Sequence, residues 1–176
     1  LAYFGAGMFV FYSSAIILTN VTFENNLALS GGGMMIYLAT NVTLTDVNIS
    51  NNTAEALGGG LYLYKSSPTF TDVNISNNLA ESSGGGIVIF GESSPTLTDV
   101  TIENNTTELD GGGMYLAGSS NPMLTSVIIS NNTAAGSGGA MVMYNCNPIL
   151  IDVTITNNTS SGNGGGGGGM ALSSSH

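Results

Sequence analysis

The stretch LTDVNISNNTAEALGGGLYLY, Leu44 to Tyr64, sets leucine, valine and isoleucine at uneven steps, then two asparagines, then three glycines. Nearly the same words return as FTDVNISNNLAESSGGGIVIF (Phe70 to Phe90), LTDVTIENNTTELDGGGMYLA (Leu97 to Ala117) and LTSVIISNNTAAGSGGAMVMY (Leu124 to Tyr144). The asparagine pairs fall at Asn25-Asn26, Asn51-Asn52, Asn77-Asn78, Asn104-Asn105, Asn131-Asn132 and Asn157-Asn158, spaced by 26, 26, 27, 27 and 26 residues. A constant period in this range marks a solenoid, whose units bury their apolar faces only against one another. The extra residue of the longer units lies before the column Pro68, Pro95, Pro122, Pro148, where it lengthens a turn.

Helix is excluded by content, because the unit is rich in Gly and β-branched residues and has no 3.6-residue period. After each glycine cluster comes a four-residue strand, such as Leu61-Tyr62-Leu63-Tyr64 or Ile87-Val88-Ile89-Phe90, whose first and third residues point inward. A second strand reads Val47-Asn48-Ile49-Ser50, Val73-Asn74-Ile75-Ser76 and Val100-Thr101-Ile102-Glu103, with polar residues at its second and fourth positions. Three residues before each valine sits the column Leu18, Leu44, Phe70, Leu97, Leu124, Leu150. A bend at the intervening Thr-Asp accounts for the uneven step. Each unit is then a coil of two or three short strands, stacked in parallel on the next at about 4.8 Å. The expected fold is an all-β parallel β-helix of about six coils with a 26–27-residue period, forming a single domain over residues 1–176. The first Asn of each pair is expected inward, in an amide ladder, while the second Asn and the glycines suit positive φ at turns.

The pattern SSPTLTDVTIENNTTELDGGGMYL resembles the right-handed parallel β-helix repeats of the pectin-lyase-like superfamily. It is most similar to the polymorphic outer-membrane-protein type, with Phe23 to Asn26 matching Phe-x-x-Asn and Gly138-Gly139-Ala140-Met141 nearest the Gly-Gly-Ala-Ile motif. The resemblance covers nearly the whole chain and implies a fold rather than an activity. Members that cleave polysaccharides pair acids with Arg, Lys or His. This chain has no arginine, a single Lys65 in a turn and a single His176 at its end. Its acids instead repeat as the column Asp46, Asp72, Asp99, Asp152, with Asn20 and Ser126 in the same slot. A residue type repeated in every coil meets a turn requirement, so no catalytic residue is expected.

Asp46, Asp72 and Asp99 are weak candidates for a metal site, because stacked carboxylates suit a bridging hard cation such as Ca²⁺. No other cofactor is implied. A net charge of −10 with one basic side chain argues against nucleic acid and against anionic membranes. The apolar run Met8 to Leu18 is too short to span a bilayer. Cys146 stands alone, so no disulfide forms within the chain. Leu1 opens inside a repeat and the chain closes in a degenerate one, so a mature product or a segment of a longer solenoid, with open ends, is expected.

The outward face of the glycine-following strand carries two apolar columns. They run Phe9, Met35, Tyr62, Val88, Tyr115, Val142 and Phe11, Tyr37, Tyr64, Phe90, Ala117, Tyr144. Such a strip exceeds what a soluble monomer normally leaves open, and burial against another protein surface is the expectation. Sequons are dense. Asn48 and Asn74 point outward and Asn20 and Asn41 lie in bends, which makes these four the glycosylation candidates. The mixed column Thr22, Asn48, Asn74, Thr101, Ile128, Thr154, beside Glu24 and Glu103, makes an ice-binding face a minor alternative. Together these features predict a non-catalytic extracellular or cell-surface structural or adhesive protein, a filament or coat subunit that self-assembles or meets another extracellular protein. The alternative is a carbohydrate-binding β-helix with stacked Tyr holding a glycan.

Overall fold

The computed structural model describes residues 2–162 and 166–173; Leu1 and His176 lie outside the described residues. Three parallel sheets of seven, seven and nine strands run the length of the solenoid. Sheet I holds short strands such as Leu27–Ser30, Thr53–Leu57 and Leu79–Ala80. Sheet II holds the glycine-following strands Met8–Phe11, Met34–Tyr37, Leu61–Tyr64, Ile87–Phe90, Met114–Ala117, Met141–Tyr144 and Met170–Ser173. Sheet III holds Ser14–Glu24, Thr40–Ser50 and Thr69–Ser76, and later coils split it at the Asp bend into pairs such as Thr96–Thr98 and Thr101–Glu103.

One backbone device shapes the coil. In the unit Thr53 to Asn78, positive φ occurs at Gly58 (68°), Lys65 (46°), Asp72 (53°) and Asn77 (55°). A left-handed residue between extended ones turns the chain and stretches the inward step from two residues to three. Buried Leu63 is thus followed by buried Ser66, Phe70 by Val73, and Ile75 by Asn78. Asn, Asp and Gly tolerate this conformation best, which explains their columns. The extra residue before the Pro column sits in this same device, as doubled positive-φ turns at Gly91-Glu92 and Gly118-Ser119. Length also varies in sheet I, where Ala28 pairs Ala54 but Ser30 pairs Leu57 across a bulge.

The expected roles of the paired asparagines are reversed. The first of each pair, Asn25, Asn51, Asn77, Asn104, Asn131 and Asn157, holds φ of 54–56° and forms the corner. The second points inward: Asn52, Asn78, Asn105 and Asn132 are buried. The reason is the three-residue step, which carries the inward direction from Ile49 past Asn51 to Asn52. Inside, Leu44, Ile49, Leu61, Leu63, Phe70, Ile75, Ile87, Ile89 and Leu97 are fully buried in one continuous core. Coils approach so closely at Gly59 that a Cβ there would collide with the carbonyl oxygens of Gly85 and Leu79.

Candidate functional site

Two polar ladders hold the interior. The Asn52 side-chain oxygen accepts from both the backbone N–H and the Nδ2 of Asn26, each at 3.0 Å. Its own Nδ2 donates to the Phe23 carbonyl at 2.9 Å and to Asn78 Oδ1 at 3.1 Å. Asn78, Asn105 and Asn132 repeat the arrangement up to Asn158. Every hydrogen-bonding site of a buried amide is thus used, which is what burying it requires. Sequence reasoning missed the second ladder, Ser66, Ser93, Ser120 and Cys146. Ser66 Oγ accepts from the Ala39 N–H at 3.0 Å and donates to the Tyr64 carbonyl at 2.9 Å. Ser93 and Ser120 follow the same scheme. Cys146 Sγ takes the next rung, donating to the Tyr144 carbonyl at 3.2 Å. Burial pushes this thiol up, with N–H bonds from Ser120 and Ser119 acting against it. The signal was a small residue two positions before each proline, as Ser66, Ser93, Ser120 and Cys146 stand to Pro68, Pro95, Pro122 and Pro148.

Outside, the two apolar columns of sheet II have different fates. The expectation of a continuous exposed strip fails at the first column: Met35, Val88 and Val142 are only 2%, 1% and 1% exposed. These side chains fold into a crease beside the glycine corner, where Val88 sits among Leu57, Tyr62, Ser82, Ser83 and Tyr115. Gly31 and Gly58 leave room there, since a Cβ on either would press on Met35 or Tyr62. Tyr62 and Tyr115 are half-buried in the same crease and only Phe9 is open. Burial first, then the neighbouring Tyr64 and Tyr37 phenols, pushes the Tyr62 hydroxyl from 10.0 up to about 12. Tyr115 is likewise raised by burial, then by Tyr144, Asp110 and Cys146.

The second column is an aromatic ladder. Phe11 and Tyr37 lie 5.6 Å apart between ring centres, Tyr37 and Tyr64 4.7 Å, and Tyr64 and Phe90 5.9 Å. The last two pairs are stacked, with interplanar angles of 16° and 24°. Phe11 and Phe90 are 53% and 38% exposed, Tyr37 and Tyr64 half-buried. Lys65 Nζ reaches within 5.7 Å of the Tyr64 ring centre. The stack ends at Ala117, buried next to Phe90, and Tyr144 stands beyond it against Tyr115 at 5.7 Å. Burial, then Asp110 through its charge and a hydrogen bond, raises the Tyr144 hydroxyl.

The other candidates sit on sheet III and its corners. Asp46, Asp72 and Asp99 occupy exposed positive-φ corners of successive coils, at φ of 53–54°. Among the described residues no three His, Cys, Asp or Glu come together, so a cation here would have at most two carboxylates from neighbouring coils. Asn20 and Asn41 are exposed corners at φ 55°. Asn48 and Asn74 form a half-buried outer amide pair, Asn74 Nδ2 donating to Asn48 Oδ1 at 2.9 Å and each Nδ2 donating to its own strand's Ser50 or Ser76 at 3.0 Å. The nitrogen a glycan would take is thus already engaged. The Asp corner also splits sheet III into two facets. The facet before it carries two columns that sequence reasoning missed: Ile17, Thr43, Thr69, Thr96, Met123, Ile149 and Thr19, Thr45, Thr71, Thr98, Thr125, Ile151. Glu24 and Glu103 lie on the facet after it.

No helix among the described residues is long and apolar enough to cross a membrane. Comparisons with curated proteins and with solved structures find no match. The family model described as "Right handed beta helix region" matches residues 6–176, in agreement with the parallel coils and the interior ladders. The chain belongs to the right-handed β-helix family.

Proposed function

We propose that the chain is a non-catalytic extracellular structural or adhesive β-helix that packs laterally against a second copy through its aromatic ladder. The observation that carries this reading is the stack Phe11–Tyr37–Tyr64–Phe90. Rings stacked on one another present their edges to solvent while their faces are occupied. Sugar recognition by aromatics needs an open ring face, so the stack favours a protein partner over a glycan. A second solenoid carries the same coil spacing, so its ring edges can meet these in register. Aromatic edges of this kind are enriched where protein surfaces meet. A composition with eleven acids and one basic side chain suits an extracellular surface. Sedimentation velocity over a concentration series tests it. Native chain is expected to self-associate and the Tyr37→Ser/Tyr64→Ser variant to stay monomeric; equal behaviour of the two overturns the reading.

A second reading is favoured by the threonine facet. Its two columns contain only Thr, Ile and Met, in parallel strands without a register slip. They repeat at about 4.8 Å between coils and about 6.7 Å along the strand, a lattice that orders water and could meet ice. The exposed ridge of Asp46, Asp72 and Asp99 flanks this facet and obstructs a flat crystal, so it ranks second. Inhibition of ice recrystallisation, lost in Thr71→Lys/Thr98→Lys, would establish it; no inhibition by native chain would remove it.

A further inference from the structure

We propose that Tyr37 and Tyr64 are an oxidative cross-linking site, where a haem peroxidase with hydrogen peroxide joins the two phenol rings and staples adjacent coils. Their Cα atoms pair in register across parallel strands, so their side chains leave neighbouring coils side by side. The ring centres are 4.7 Å apart and the planes differ by 16°, close to the separation of two directly bonded rings. Turning each ring about its own long axis changes face-to-face contact into edge-to-edge contact of the ortho carbons. That motion uses the soft χ2 torsion and leaves the backbone in place.

The surroundings make the pair selective. Phe11 and Phe90 bracket it at 5.6 and 5.9 Å, and a phenylalanine has no hydroxyl from which a phenoxyl radical can form. Tyr12 is farther from Tyr37, at 6.5 Å and edge-on with planes at 62°. Tyr62 stands in the neighbouring column, half-buried in the crease. Tyr3 and Tyr12 are exposed, and Tyr115 and Tyr144 lie farther apart than the stacked pair, at 5.7 Å with planes at 52°. A radical on Tyr37 or Tyr64 meets its stacked neighbour first.

Each tyrosine gives up one electron and its hydroxyl proton, leaving two phenoxyl radicals. These combine through a new carbon–carbon bond between ortho carbons, and each ring hydrogen at the bond shifts to its oxygen to restore the aromatic phenol. The two protons and two electrons reduce one hydrogen peroxide to two waters through the haem oxidant. With Cys146 as its single cysteine the chain has no internal disulfide, so this bond would supply a covalent tie between coils. The proposal does not rest on the ladder being an interface, since coupling within one chain can precede docking.

The test treats native chain with a haem peroxidase and limiting hydrogen peroxide, then isolates the monomer fraction. Expected are dityrosine fluorescence, a mass lower by two hydrogens, and a digest peptide pair joining Tyr37 to Tyr64. Tyr37→Phe and Tyr64→Phe each keep the ring in the ladder, so unchanged melting confirms the fold, and each should abolish the joined peptide pair and most of the monomer signal. Unfolding in urea before oxidation should remove the preference for this pair. Dityrosine confined to oligomers, or a monomer signal undiminished by Tyr64→Phe, would overturn the proposal.

Discussion

The asparagine ladder inside the solenoid and the aromatic ladder outside it climb the same coils with the same period, yet one is continuous and the other is not. From Asn26 to Asn158 every inward amide bonds to the next. The outer stack runs from Phe11 to Phe90 and gives way to Ala117. Removing an inner rung strands buried donors and acceptors on both sides, a cost no coil can absorb easily. Removing an outer ring forfeits only its contact with its neighbours. What folding demands therefore recurs in every coil. What folding does not demand is free to vary, and there the aromatic stack is the feature that calls for a separate explanation.

The strongest way to break this contrast is a buried charge. Ile75→Asp places an unpaired carboxylate among fully buried neighbours and should abolish cooperative folding, as followed by circular dichroism during heating. An unchanged melt would refute the inward register. Next comes Asn78→Leu, which removes the Asn78 amide from the Ile49 carbonyl, from the Asn52 N–H and from one of the two Asn52 Nδ2 hydrogens. It should cost about 3–5 kcal/mol in urea unfolding, whereas truncating an outer ring such as Tyr64→Ser should cost about 1 kcal/mol or less. Comparable losses would mean that the two ladders are not different in kind.

The smallest effect concerns pH. The Tyr62 phenol is held neutral in its crease and titrates at about 12 instead of 10.0. A raised pKa of this kind adds stability that is complete below the unfolded value and is lost as pH rises from 10.0 toward 12. Native chain should therefore lose stability across that window more steeply than Tyr62→Phe. Ultraviolet titration of the phenolate against the melting midpoint checks this, and identical pH profiles would remove the buried-phenol assignment.

Much of this was legible in the repeat itself. The coil period, the Val-x-Ile strand and the bend at Thr-Asp all appear in the structure, because inward positions at step two are forced by a shared core. The expectation that the first asparagine of each pair points inward fails because alternation holds only through extended residues, and Asn51 is not one. Its φ of 55° makes the step three, the same device already visible at Asp46. Applied at Lys65, that rule also finds Ser66 and, coils later, Cys146. The burial of Met35, Val88 and Val142 had no such signal. Alternation separates the core side of a strand from its outer side, but it does not reveal that the outer surface folds into a crease beside Leu57, Ser82 and Ser83.

The most direct test of the central claim is electron microscopy of native, undenatured material beside the Tyr37→Ser/Tyr64→Ser variant. Ordered filaments or lateral arrays with the Phe11–Phe90 face buried between solenoids, dispersing in the variant, are the predicted result. Single solenoids with that face open to solvent in both samples would contradict it.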